Sequence, residues 1–232
     1  MSKSIDDASA TDDSISWLGG GLNGDTIGVQ NPNNLKAERS VSTFDIPQVL
    51  QFSYVYSLPV GRGKRFGGNM NKVLDGFIGG WQLNGIWRFA GGRPIILGLD
   101  STNPIPTYGQ RPNLSGALKV NNSDKFSMIQ QYFANPDVVT TPDAFTFGNA
   151  PRTVSNIRQP GAKNANMSLF KEFSMAKYRE GMRMEFRFEA FNVFNHANFA
   201  GPDSIVDGGS FGQITSLSDP MREVQLGLKF YF

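Results

Sequence analysis

Four charged residues alternate along one short stretch of this chain: Arg183, Glu185, Arg187 and Glu189, interleaved with Met184, Phe186, Phe188 and Ala190. Side chains two apart on a strand share a face, so this spacing sets cations and carboxylates in a row. Such a row cannot lie unpaired in a dry core without heavy cost. It fits a water-filled or plugged lumen, where opposite charges on adjacent strands pair across the ladder. Arg88 and Lys229 belong to the same compartment in their own strands. The remaining candidates for chemistry are weak. His196 is the single histidine and no cysteine is present, so a His–Cys pair is impossible. No nucleophile-elbow motif surrounds a serine, and a structural role for His196 is the better reading in its Asn-rich setting. Gly61-Arg62-Gly63-Lys64-Arg65 could cradle a phosphate, but it lacks the Walker spacing; a turn near lipid head groups fits better. Asp6, Asp7, Asp12 and Asp13 miss the spacing of a calcium loop. No catalytic residue, cofactor site or metal site is expected, and the chain is not expected to be an enzyme.

The elements that would carry the charged row are strands. The most regular is the last, where Val224, Leu226, Leu228, Phe230 and Phe232 alternate with Glu223, Gln225, Gly227, Lys229 and Tyr231. A strand of this pattern has one apolar and one wet face. Another run, 80–89, puts Trp81, Leu83, Gly85, Trp87 and Phe89 on one face. Trp81 and Trp87 are six residues apart, about 20 Å along a strand, close to the height of a barrel's apolar band. Indoles prefer the two membrane interfaces, so Trp81 and Trp87 are read as a membrane girdle. With these, strands are expected near 48–58, 164–173 and 181–191, with short helices near 71–77 and 125–133. The wall facing lipid would comprise Trp81, Trp87, Met184, Phe186, Phe188, Leu226, Leu228 and Phe230.

At 232 residues and 39% hydrophobic, with 26 Gly and 13 Pro, the chain is rich in turns. No run approaches the ~20 apolar residues of a spanning helix, but a barrel strand needs only alternate apolar residues over ~10. A net charge of +2 and the lack of a long basic run give no sign of a nucleic-acid partner. The connections alternate in length: moderate at 59–78 and short at 174–180, against very long at 90–163 and long at 192–221. Long loops on one side and shorter turns on the other are the asymmetry of an outer-membrane barrel. The expected fold class is therefore all-β: an antiparallel up-and-down transmembrane β-barrel segment of about five to six strands. A soluble, carbohydrate-binding β-sandwich is the alternative. Five strands do not close a barrel, and open edges are not viable in a bilayer, so an incomplete barrel is expected. The N-terminus has no apolar signal segment, which points to a fragment whose export signal lies upstream.

The terminal aromatic Phe232, with Phe230, resembles the C-terminal strand of Gram-negative outer-membrane barrels, which implies an assembly signal read by the barrel-assembly machinery. Collinear segments extend the likeness over nearly the whole chain: SKSIDDAS (2–9), NNLKAER (33–39), SYVYSLP (53–59), GGWQLNG (79–85), GRP (92–94), FGNA (147–150), LFKEF (169–173), FEAFNVFNHANF (188–199) and FGQIT (211–215). This set resembles the C-terminal part of Oar-like TonB-dependent outer-membrane receptors, which in full carry a carboxypeptidase-regulatory-like domain, a plug and a large barrel. One departure is Gln48-Val49, where the family often shows His-Arg. The resemblance implies that residues 1–232 are barrel wall and extracellular loops of an energised uptake channel in the cell outer membrane. Its implied partners are the TonB complex, through parts upstream, the barrel-assembly machinery and the bilayer. A surface or adhesive barrel without transport is the other reading of the same residues.

Overall fold

The computed structural model describes residues 3–7, 29–100 and 110–232. Asp12, Asp13, the Gly19–Gly21 run and parts of the 2–9 segment lie outside the described residues. The chain divides into two compact units.

One unit is a sheet built from 50–89, 163–197 and 220–232. Its strands are β1 (Val49–Ser57), β2 (Trp81–Ala90), β3 (Ala162–Ser174), β4 (Arg183–Phe191) and β5 (Glu223–Tyr231). They are hydrogen-bonded in the order β5-β4-β3-β2-β1. Sequence neighbours are thus spatial neighbours, as in an up-and-down meander. β4 runs antiparallel to both β3 and β5, and the Leu58 N–H donates to the Trp81 carbonyl where β1 turns toward β2. Strands of nine to thirteen residues match the length a barrel strand needs to cross a bilayer. β1 and β5 are the two edges, so the sheet is open: an all-β, incomplete barrel. Among the described residues no helix is long and apolar enough to cross a membrane.

Register fixes which residues share a face. Met184 faces Phe230 and Phe173, Phe186 faces Leu228 and Lys171, and Phe188 faces Leu226 and Leu169. A one-residue slip would exchange this set for Glu185, Arg187 and Lys229, so the apolar pattern itself holds the register. At Gly85 the strand gives way to a neighbour. A Cβ there would come within 2.6 Å of the Tyr54 ring, so the tyrosine lies over the glycine and buries it, while Phe52 stacks on Trp87 at 5.8 Å.

The other unit comprises the described parts of 1–49, 90–162 and 198–219. Residues 1–49 lead into β1, 90–162 lie between β2 and β3, and 198–219 lie between β4 and β5. The 90–163 stretch, expected as a loop region, is ordered where described. Pro94–Ile95 pairs with Val154–Arg158, and Asn113–Leu114 with Val139–Thr140. Pairings of two residues carry no readable period, which is why the sequence hides them. Helix α2 (Lys125–Gln130) is capped by Asp124, whose carboxylate accepts from the Phe126 and Ser127 N–H groups, as N-caps do. Ile95, Leu97, Leu118, Tyr132, Phe133, Val139, Val154, Ile157 and Ile214 form one buried core. The Phe133 and Phe211 rings meet at 5.0 Å between centroids.

Candidate functional site

The sheet has two chemically opposite faces. On the first, the residues expected to line a lumen come together around β4. Arg183 pairs with Glu172 across to β3 at 3.5 Å, and Arg187 pairs with Glu185 along its own strand. Glu185 has Lys229 directly opposite on β5 and Glu172 on β3. The cations also rest on aromatic rings: Arg183 lies 3.9 Å from the Tyr231 centroid, Lys229 5.1 Å from the same ring, and Arg187 5.0 Å from Phe170. Such contacts hold a cation in place without removing its charge. Glu189 faces Ser168 and Gln225, and Arg88 is exposed on β2. Phe170, Glu172 and Tyr231 complete this face and were not singled out in the sequence. The alternation through β3 from Asn164 carried the signal, but its mixed composition masked it. The arrangement sets cations and carboxylates beside one another along and across the strands.

The second face is apolar and poorly covered. Leu226 is 68% exposed, and Val224, Leu228 and Phe230 are more than half exposed. In water such a patch is a liability; against hydrocarbon it is the favourable surface. The structure places Trp81 and Trp87 on this face in two separate aromatic groups. Trp87 stacks on Phe52 and Phe89 and meets Phe194 at 5.3 Å. Trp81 packs edge-on against Phe186 at 6.0 Å. Lys171 is the one cation among these apolar neighbours and is buried. Its ammonium lies over the Trp81 and Phe173 rings and donates to the Gly79 carbonyl. That carbonyl lies just past helix α1 (Lys72–Ile78), where the helix dipole favours a cation. The aliphatic stem lies along the apolar face while the charge is delivered to backbone oxygens. Phe232 is almost fully exposed at the chain end.

His196 is held through its backbone. Its N–H donates to the Asn192 Oδ1 at 2.9 Å and its carbonyl accepts from Asn192 Nδ2 at 2.8 Å. Asn192 also donates to the Pro220 carbonyl, and its own N–H donates to Asn166 Oδ1. Asn192 and Asn195 both adopt positive φ, +47° and +53°, which asparagine tolerates better than most residues. The FNVFN string is therefore a clasp that closes the end of β4 onto the start of β5.

Among the described residues, three ion pairs join parts of the loop unit. Arg111 pairs with Glu38, Arg152 with Asp6, and Arg158 with Asp45 at 2.5 Å. Arg111 and Glu38 are both 2% exposed. Burial draws the Arg111 guanidinium below its ordinary value, opposed by the Glu38 carboxylate. Burial pushes the Asp45 carboxyl up, but the Ser4 N–H and Arg158 outweigh it and hold it below the usual range. The Tyr132 hydroxyl, donating to the Arg158 carbonyl at 2.5 Å, is pushed up to about 12 by burial. Asp124 is held low by the Ser127 hydroxyl and backbone N–H groups. Gln30 joins the assembly: its Nε2 donates to the Gly148 carbonyl and its Oε1 accepts from the Arg111 N–H. Gly148 is required there, since a Cβ would fall 1.8 Å from the Arg111 carbonyl oxygen. A groove of about 410 Å³ opens beside this pair, lined in part by Lys36, Arg39, Arg111, Phe147 and Asn149.

A family model described as Outer membrane beta barrel domain matches residues 1–225. No curated protein matches the chain, and no solved structure does.

Proposed function

The chain belongs to the outer membrane beta barrel domain family, and on that premise we propose that it supplies wall and extracellular loops to a TonB-dependent uptake channel of the Oar-like kind. Membership places it in the outer membrane and sets aside the soluble sandwich. The observation that carries the finer reading is the division of labour in the sheet. One face pairs Arg183, Glu185, Arg187 and Glu172 in water, and the other presents bare aliphatic and aromatic side chains. The wet face is the inner lining past which solute moves, and no residue acts as a catalyst. The open edges β1 and β5 are where further barrel strands pair. The plug and the contact with the TonB complex belong to upstream sequence, and the β5 edge with Phe230 and Phe232 is what the barrel-assembly machinery engages. The test is the reading frame upstream of codon 1. It is expected to encode a plug and more alternating strands, with solute accumulation abolished when the TonB energiser is deleted. An in-frame stop preceded by an unrelated gene, or uptake indifferent to the energiser, overturns the transport reading and leaves a surface barrel.

A further inference from the structure

The segment from Leu58 to Gly80 that joins β1 to β2 is more elaborate than a hairpin turn. The Gly61 N–H donates to the Phe66 carbonyl at 2.9 Å and the Phe66 N–H to the Pro59 carbonyl at 3.0 Å, closing a compact loop. The Arg62 N–H donates to Asp75 Oδ1 at 2.6 Å, tying the loop to α1, and Asn71 caps the helix by accepting from the Leu74 N–H at 2.8 Å. Within α1, Val73, Leu74, Phe77 and Ile78 fall at i, i+1, i+4 and i+5, one stripe of a helix. That stripe is uncovered: Val73 is 73% and Phe77 72% exposed. It is also continuous with the apolar face of the sheet. The Trp81 Nε1 donates to the Phe77 carbonyl at 2.9 Å, and Lys171 reaches the Gly79 carbonyl from the same face. Around it stand four exposed cations, Arg62, Lys64, Arg65 and Lys72. The one nearby carboxylate, Asp75, is engaged by the Arg62 backbone. Arg65 lies 5.5 Å over the Phe66 ring, next to the apolar stripe.

We propose that this segment is an interfacial foot, with the α1 stripe seated at the acyl boundary and the loop cations on anionic phospholipid headgroups of the leaflet at the short-turn end. A short amphipathic helix with an apolar stripe and basic flanks lies in the interface plane, and each cation near an anionic surface contributes attraction that salt weakens. The Trp81 indole and the Lys171 ammonium sit where the hydrocarbon face meets this foot, the level such side chains favour. The inference rests on the membrane reading of the apolar face, and the experiment separates the two.

The full chain, reconstituted by detergent dilution, is partitioned between buffer and either phosphatidylcholine vesicles or phosphatidylcholine–phosphatidylglycerol vesicles, at low and high salt. The anionic vesicles are expected to bind more tightly by about five-fold for each cation engaged. The variant Arg62→Gln/Lys64→Gln/Arg65→Gln is expected to lose most of that gain while partitioning into neutral vesicles like the parent. Lys36→Gln/Lys119→Gln/Lys125→Gln, on the loop unit, removes three exposed charges as well and serves as the matched control. Equal partitioning of the parent into both vesicles overturns the foot alone, as does a preference that survives the triple variant. Dimers in detergent that Phe77→Asp dissolves would make the stripe a protein contact and also overturn it. Failure of the parent to enter neutral vesicles would instead strike at the membrane reading of the sheet.

Discussion

Removing the charge of Glu38 is expected to open the loop unit. Glu38 and Arg111 are each 2% exposed. The Glu38 carboxylate accepts from the Gln30 N–H at 3.1 Å and from Arg111 Nη2, and the Arg111 Nε finds no protein partner. Glu38→Gln keeps the shape and the Gln30 contact but leaves a guanidinium buried without its counter-charge. Breaking a buried pair from one side costs about 3–5 kcal/mol. Removing both partners in Glu38→Leu/Arg111→Met leaves no orphaned charge, so the double variant is expected to recover most of that loss. The tryptophans of the sheet, Trp81 and Trp87, do not report on this unit. Amide hydrogen exchange of the full chain in detergent, read on peptides covering 30–45 and 150–158, is the suitable assay. Opening free energies of those peptides should fall by several kcal/mol in Glu38→Gln and much less in the double variant, with β4 and β5 amides unchanged. A single variant that costs under about 1 kcal/mol, or a double variant as damaged as the single, refutes the argument that uncompensated charge is what matters.

Asp45 gives a pH dependence. Its folded pKa is depressed, so its contribution is present above the unfolded value of about 3.9 and is lost as pH falls through the folded value. Exchange protection of residues 40–45 should decline in acid in the parent and be flat over that window in Asp45→Asn. Gly85→Val should disrupt the Tyr54 contact and cost about 1–3 kcal/mol through overpacking, visible as a lower thermal midpoint of the sheet by tryptophan fluorescence. Asp124→Ala should cost about 1 kcal/mol by loss of the α2 cap, seen as faster exchange in 125–131 alone. Asn192→Ala should release the turn at 192–196, raising its susceptibility to protease while β4 stays protected.

The sheet was legible because its signal is local. In β2, β4 and β5 every second residue repeats its type, and the alternation that exposes Leu226 also aligns Glu185 with Lys229. β3 was harder to read, since Lys171 interrupts its apolar face with a charge whose partner is the carbonyl of Gly79, far away in sequence. Of the loop unit only the short helix at Lys125–Gln130 was legible. Arg111 and Glu38 are 73 residues apart, Arg158 and Asp45 113, and Arg152 and Asp6 146. No periodicity links such pairs. Three of the segments quoted for the resemblance take part in these contacts: SKSIDD holds Asp6, NNLKAER holds Glu38, and FGNA holds Gly148.

The core around Phe133, Leu118 and Ile95 bears on what the loops can do. A long connection ordinarily keeps its conformational freedom until a ligand restricts it, and binding then bears that entropy loss. Here the connection between β2 and β3 buries its own apolar side chains together with Ile214, and its Arg111, Arg152 and Arg158 are paired by Glu38, Asp6 and Asp45 of the N-terminal segment. Its order is established on folding, so a molecule reaching the groove beside Arg111 meets walls already set. Variation in such a surface would change the chemistry the groove presents, through side chains such as Lys36, Arg39 and Asn149, without disturbing the framework that holds them.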